Sequence, residues 1–283
     1  MVRRFLNCCR ATAKRNGHEV PRRVNSGKHC RDARADACHY DEHDALESIL
    51  CKSAKPSMRW SVIIPTLNEE TLLPETLRHL RREKPKEIVV VDGGSSDATV
   101  ALARQQADVV LSGPRGRAVQ MNWGAAHARG EFLLFLHADC TLEEGALQEA
   151  STWLQRDWVA GGCFQMSIPR RHRLYRSIAA CATARVKLTG IVYGDQGLFV
   201  RRDLFEKLGG FPPIRLMEDV FFSQKLRRHG RIVVARRRIE VSARRWEHAG
   251  IVRQTLRNWA LTAAALCGIH PDRLACWYPV VRS

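Results

Sequence analysis

The chain of 283 residues contains neither a GxGxxG nor a GxxxxGK[ST] loop, which excludes the two common backbone cradles for dinucleotides and nucleoside triphosphates. A nucleotide bound here has to be held mainly by side-chain carboxylates and amides. No CxxC pair occurs among the ten cysteines, and the Cys/His spacings around Cys30 to His43 match no standard zinc pattern. Long apolar runs are missing too: the first 31 residues are rich in arginine and lack the apolar h-region of a secretory signal. The stretch from Ile251 to Cys267 is too short and too polar to span a bilayer. Repeats and low-complexity runs are absent. Lysine and arginine (46) outnumber aspartate and glutamate (29), for a net charge of +17. Such an excess suits an anionic lipid or acceptor, while a nucleic-acid partner is disfavoured by the lack of any recognised module or aromatic-basic interleaving.

What is present begins with Ser61 to Asp97. Two β-branched runs, Val62-Ile63-Ile64 and Ile88-Val89-Val90-Val91, are separated by about twenty residues of helical spacing. This predicts a βαβ unit whose strands are buried on both faces and whose carboxyl-end loops form a ligand crevice. Those loops are Pro65-Thr66-Leu67-Asn68-Glu69 and Asp92-Gly93-Gly94-Ser95-Ser96-Asp97. The alternation continues with a helix from Thr99 to Ala107, a strand Val109-Val110-Leu111, and a loop holding Arg115 and Arg117 around Gly116. A helix from Arg117 is expected to stop at Gly130, and a buried strand from Glu131 to Leu136 delivers His137-Ala138-Asp139 to the sheet edge. Asp139 reads there as a metal ligand or as the cap of a helix starting near Leu142-Glu143-Glu144.

Further along, Val159 to Met166 and Leu198-Phe199-Val200 read as strands. Asp195, between Gly194 and Gly197, is either a sugar or acceptor contact or a simple turn residue. Glu218 and Asp219 open a helix that runs to Arg228 and stops at Gly230. Ile239 to Val241 is strand-like and leads to Arg244, Arg245 and His248. The Ile251 to Cys267 segment has helical apolar spacing with Arg253 and Arg257 along one edge; packing on the catalytic domain is its first reading, an anionic lipid surface the second.

The first 57 residues differ in character. They carry five cysteines (Cys8, Cys9, Cys30, Cys38, Cys51), four histidines and many arginines, with no sustained apolar period, so they have little with which to build a core. Residues 1–57 are therefore expected to be a basic Cys/His-rich extension, disordered or lying ahead of a true start at Met58, and residues 58–283 the folded domain. The other cysteines, Cys140, Cys163, Cys181, Cys267 and Cys276, are scattered, as suits a reducing cytoplasm.

From Arg59 to Tyr278 the runs VIIPTLNEE, VVVDGGSSDAT, RGRAVQMNWGA, LLFLHAD, YGDQGLFVRRDLFEKLGGFP and LMEDVFFSQKLRRHG occur in uninterrupted order. In these motifs the chain resembles the family 2 glycosyltransferases of the GT-A fold, an α/β Rossmann-like nucleotide-diphospho-sugar transferase fold with a mostly parallel central sheet. It is most similar to the subgroup labelled arsenosugar-biosynthesis or radical-SAM/selenodomain-associated glycosyltransferases, also grouped with diaponeurosporenoate-type enzymes. The resemblance implies inverting transfer of a sugar from a nucleotide-diphosphate donor to an acceptor hydroxyl or carboxylate, with Mg²⁺ or Mn²⁺. It implies Asp219 as base and Glu218 as the residue orienting it or the acceptor. Donor contacts are implied for Pro65, Thr66, Asn68, Glu69, Asp92, Arg115, Arg117, His137, Asp195 and Arg245, and metal contacts for Asp139 and, across the cleft, His248. The acceptor expected is a small metabolite or a lipid or carotenoid-like molecule, the location cytoplasmic or peripheral at the inner face of the cell membrane. Two alternatives are a nucleotide-sugar-binding module without turnover and a nucleotidyltransferase. The latter normally carries a glycine-rich loop with a basic residue after the first strand, and Pro65 to Glu70 has neither.

Overall fold

The computed structural model describes residues 59–278; the expectations for residues 1–57 and for Met58 lie outside the described residues. The βαβ unit forms as the apolar runs dictate. β1 (Trp60–Thr66) and β2 (Glu87–Asp92) pair in parallel around α1 (Leu73–Arg82), with Ser61 opposite Glu87 and Thr66 opposite Asp92. Leu73, Leu77 and Leu80 recur at helical spacing and bury one face of α1, while its arginines face out. Burying each leucine stabilises the unit by about 1.5–3 kcal/mol.

α2 (Thr99–Gln106), β3 (Val109–Ser112), α3 (Arg117–His127) and β4 (Phe132–Phe135) follow within a residue or two of expectation. α3 ends before Gly130, which serves a different need from the expected helix stop. A Cβ at Gly130 would lie 2.5 Å from the Ser61 nitrogen and 2.7 Å from the Arg59 carbonyl, so glycine there lets the chain pass against β1. The expected helix at Leu142 to Glu144 is also corrected. Cys140–Leu142 forms strand β5, and α4 (Ala146–Leu154) starts only after Gly145 at φ 80°. Glu143, just past β5, stays tied to β8: its nitrogen donates to the Arg238 carbonyl at 2.9 Å and its carboxylate accepts from the Arg238 nitrogen at 2.9 Å. Asp139 consequently caps no helix.

The second half adds β6 (Val159–Ser167), α5 (Arg173–Thr189), β7 (Leu198–Arg201), α6 (Arg202–Lys207), α7 (Glu218–Leu226) and β8 (Arg231–Val241). All strands join one sheet in the order β3-β2-β1-β4-β7-β6-β8-β5. The first four are parallel; β7 runs antiparallel to both β4 and β6, β6 and β8 are parallel, and β5 is antiparallel to β8. The fold is thus α/β and GT-A-like, with a mostly parallel but mixed sheet. The β6–β8 register jumps between Phe164 opposite Ala235 and Gln165 opposite Arg238, a bulge that bends β8. The nitrogens of Arg236 and Arg237, freed from the ladder, donate to the Glu149 carboxylate at 2.7 and 2.8 Å.

Apolar layers cover both sheet faces: α1, α4 and α5 close one around Trp60, Phe132 and Phe164, and α3, α6 and α7 close the other around Ile63, Phe135 and Phe222. After β8 come α8 (Arg244–Ala249), α9 (Ile251–Leu266) and α10 (Pro271–Leu274). Leu261 and Ala265 of α9 pack on Ile191, Leu216 and Val220 in a third cluster, as the first reading of that helix anticipated.

Candidate active site

A cleft opens beyond the carboxyl ends of the central strands. Its walls are the His137 to Asp139 segment after β4, the Tyr193 to Asp195 turn before β7, the start of α7, the end of β8 with α8, and the inner side of α9. The β4 segment is held firmly. Thr76 Oγ1 donates to the Ala138 carbonyl at 2.8 Å, and the Ser242 nitrogen donates to the Asp139 carbonyl at 3.1 Å.

Asp219 is buried in the first turn of α7, behind Met217, whose φ of 66° turns the chain into the helix. Its Oδ1 accepts from the Val220 nitrogen at 2.7 Å and its Oδ2 from the Gly194 nitrogen. Burial, followed by the neighbouring Glu218 charge, raises the carboxyl to about 6. Gly194 explains how the turn comes so near: a Cβ there would lie 2.8 Å from His137 Nε2 and 3.2 Å from Asp219 Oδ2. The backbone at this glycine thus lies against two side chains of the site itself. Glu218 is only 1% exposed and meets Arg117 through both Nε and, at 3.1 Å, Nη2. Its carboxylate fixes the Arg117 guanidinium at the cleft wall.

His137 is buried, its Nε2 has no hydrogen-bond partner among the described residues, and burial with the Arg117 charge pushes its imidazole down to about 3. It is neutral at physiological pH. Asp139 is the opposite case: burial works against its charge, yet Arg245 and then His137 and Arg244 hold its carboxyl below the usual range. Arg244 Nη2 lies 3.8 Å from Asp139 Oδ2. Asp195 is pushed up by burial, and its Oδ1 has no hydrogen-bond partner among the described residues. Arg245 Nη1 donates to the Tyr278 hydroxyl at 3.2 Å.

Arg117, His137, Asp139, Asp195, Asp219 and Arg245 therefore share one cleft, with Glu218 behind Arg117. The remaining expected residues do not line it. Glu69 is paired with Arg244 at 3.2 Å. Asp92, expected at the base or ribose, accepts through Oδ2 from the nitrogens of Gly94 and Ser95, both at 2.9 Å, and through Oδ1 from the Ser95 hydroxyl. Asn68, at φ 55°, accepts from the Ser96 nitrogen at 2.9 Å, while Thr66 and Pro65 complete the buried strand end. Arg115 is exposed. His248 is exposed on α8, off the cleft wall, so it does not join Asp139. Among the described residues no group of three His, Cys, Asp or Glu side chains stands ready to hold a metal. Sequence reasoning missed the wall provided by α9. Gln254, Asn258 and Thr262 face the cleft, and their four-residue spacing in an apolar helix was the available signal. Thr262 Oγ1 and the Tyr193 hydroxyl lie 2.7 Å apart and tie that wall to the Gly194 turn.

Residues 61–209 match the model of glycosyl transferase family 2. The chain belongs to this family. Relatives include glycosyltransferase AglE of Haloferax volcanii, 27% identical over 54% of this chain and 55% of that protein. Another is the undecaprenyl-phosphate 4-deoxy-4-formamido-L-arabinose transferase of Salmonella choleraesuis, 33% identical over 52% of this chain and 49% of the relative. The chain thus spans about half the length of these curated relatives. S. aureus TarS 1-349 in complex with UDP-GlcNAc shares the fold of this family member, with a TM-score of 0.53 at 22% identity over 65% of this chain and 58% of that one.

Proposed function

We propose that this family 2 member transfers a glycosyl group, with inversion, from a nucleotide-diphosphate sugar to a hydroxyl or carboxylate of an acceptor with an apolar part. The observation that carries the reading is the meeting of the buried Asp219 carboxylate with Asp139, Arg117 and Arg245 in one cleft. An acceptor oxygen forms the new bond to the anomeric carbon. The bond from that carbon to the diphosphate breaks, its electron pair stays on the nucleoside diphosphate, and a hydroxyl proton passes to Asp219. A carboxyl near 6 is mostly ionised at neutral pH and suited to that task. Arg245 and Arg117 supply positive charge toward the diphosphate, and neutral His137 offers Nε2 to a ribose or phosphate group.

Mg²⁺ or Mn²⁺ fits this donor set as an ion completed by substrate, since Mg²⁺ characteristically takes only one or two carboxylates besides phosphates and waters. Asp139, ionised at the wall, and Asp195, whose Oδ1 has no partner among the described residues, would hold it. When bound, the ion offsets charge building on the leaving diphosphate. The apolar share of the wall, including Leu216, Val220, Trp246 and Leu261, supports an amphiphilic acceptor; the name of the Salmonella relative, with its undecaprenyl phosphate, agrees with that class. The motif order supports the glycosyltransferase class. A panel of nucleotide sugars, read by release of nucleoside diphosphate with and without Mg²⁺ or Mn²⁺, tests the proposal. Turnover of at least one donor, lost in Asp219→Asn once an acceptor is supplied, is expected; binding without turnover of any donor and acceptor would leave a sugar-nucleotide-binding module.

A further inference from the structure

Helix α9 is apolar on two opposite sides. Its inner side, with Leu261 and Ala265, packs on the domain. On its outer side Val252, Leu256 and Trp259 are 60%, 57% and 51% exposed. Spaced at i, i+4 and i+7, they form one stripe, prolonged by exposed Ala263. A helix at the surface of a soluble domain needs only its inner stripe, so the outer one calls for an occupant.

Charge selects among occupants. No aspartate or glutamate occurs from Gly250 to His270, and exposed Arg253 borders the stripe. A second copy docked helix to helix would set arginine against arginine, and the arginine-rich residues 1–57 would add like charge. An anionic bilayer surface offers both an apolar phase and opposite charge. Among the described residues no helix is long and apolar enough to cross a membrane, so α9 would lie in the interface. We infer that α9 docks this protein on anionic lipid through Val252, Leu256 and Trp259, with Arg253 at the headgroups. Because Asn258 and Thr262 of the same helix face the cleft, docking brings the cleft beside the lipid. The inference stands whether or not the chain proves to transfer sugar.

The test uses the full chain and vesicles of phosphatidylcholine with or without phosphatidylglycerol. Wild type is expected to sediment with the anionic vesicles and less with pure phosphatidylcholine. The double variant Leu256→Gln/Trp259→Gln keeps every charge and every cleft residue; its binding is expected to fall about tenfold, with donor turnover in the absence of vesicles unchanged. Equal binding by the double variant would assign the attraction to net charge alone and overturn the inference. So would failure of wild type to bind anionic vesicles, or a wild-type dimer that the double variant abolishes. Should circular dichroism show the double variant misfolded, Val252→Asn and Leu256→Gln singly must each weaken binding, and unaltered binding by both would equally overturn it.

Discussion

Glu218 and Asp219 are adjacent in the chain yet answer to different partners, one locked on Arg117, the other held by the Val220 and Gly194 nitrogens. Asp219→Asn keeps the shape and removes the proton acceptor, so transfer to a hydroxyl acceptor is expected to fall by roughly 10²–10⁴-fold while donor affinity, measured by calorimetry, stays near wild type. The folded carboxyl lies near 6, above its ordinary 3.8; it is protonated and inactive below that pH and ionised above it. kcat/KM should therefore rise with pH through about 6. Glu218→Gln removes the charge that helps to raise Asp219, so the acid limb should move to lower pH. It also strands Arg117, at a cost of about 3 kcal/mol in urea unfolding. Asp139→Ala should abolish donor turnover and the dependence of nucleoside-diphosphate affinity on Mg²⁺; metal-dependent affinity left unchanged would place the ion elsewhere. Much of this constellation was legible as residue type at a strand end, because parallel strands present their loops on one edge. What could not be read was which lone pairs internal donors had already taken. Asp92 and Asn68 have the right chemistry for a nucleotide, but the Gly94 to Ser96 nitrogens engage them; Glu69 is similarly engaged by Arg244.

Among the elements, β6 depends on its glycines. A Cβ on Gly162 would lie 2.5 Å from both the Phe199 ring and the Val233 carbonyl, so Gly162→Ala should destabilise by about 1–3 kcal/mol and lower the Tm in a thermal melt. β1, β2 and β4 were readable because unbroken Val, Ile, Leu and Phe runs have no other place than a doubly covered sheet. β8 was not. Eleven residues long, it showed only as Ile239 to Val241, since Arg236, Arg237 and Arg238 are exposed and break its alternation. One reading of Asp139 placed a helix start near Leu142-Glu143-Glu144; pairing of Cys140–Leu142 with β8 overrode that local signal.

At the scale of the whole molecule, the described unit falls within residues 53–283 and holds its own apolar clusters on both sheet faces. A chain starting at Met58 should accordingly match the full chain in Tm and donor turnover, and a fall in either would give residues 1–57 a part in the fold or the chemistry. The sheet order carries a geometric consequence. β5 stands four places from β4, about 19 Å away in a flat sheet at 4.7–4.9 Å per strand. Yet only Leu136 to Asp139 separate Phe135 from Cys140, and five peptide steps reach at most about 18 Å when fully extended. The sheet must roll up, and the bulge in β8 supplies the bend. The segment carrying His137 and Asp139 is the short chord that closes this curl, and it does so through a turn in which the Cys140 nitrogen donates to the His137 carbonyl at 3.2 Å. Shortening that chord by one residue would strain the curvature of the whole sheet, so the position of these two side chains and the roundness of the fold are a single property.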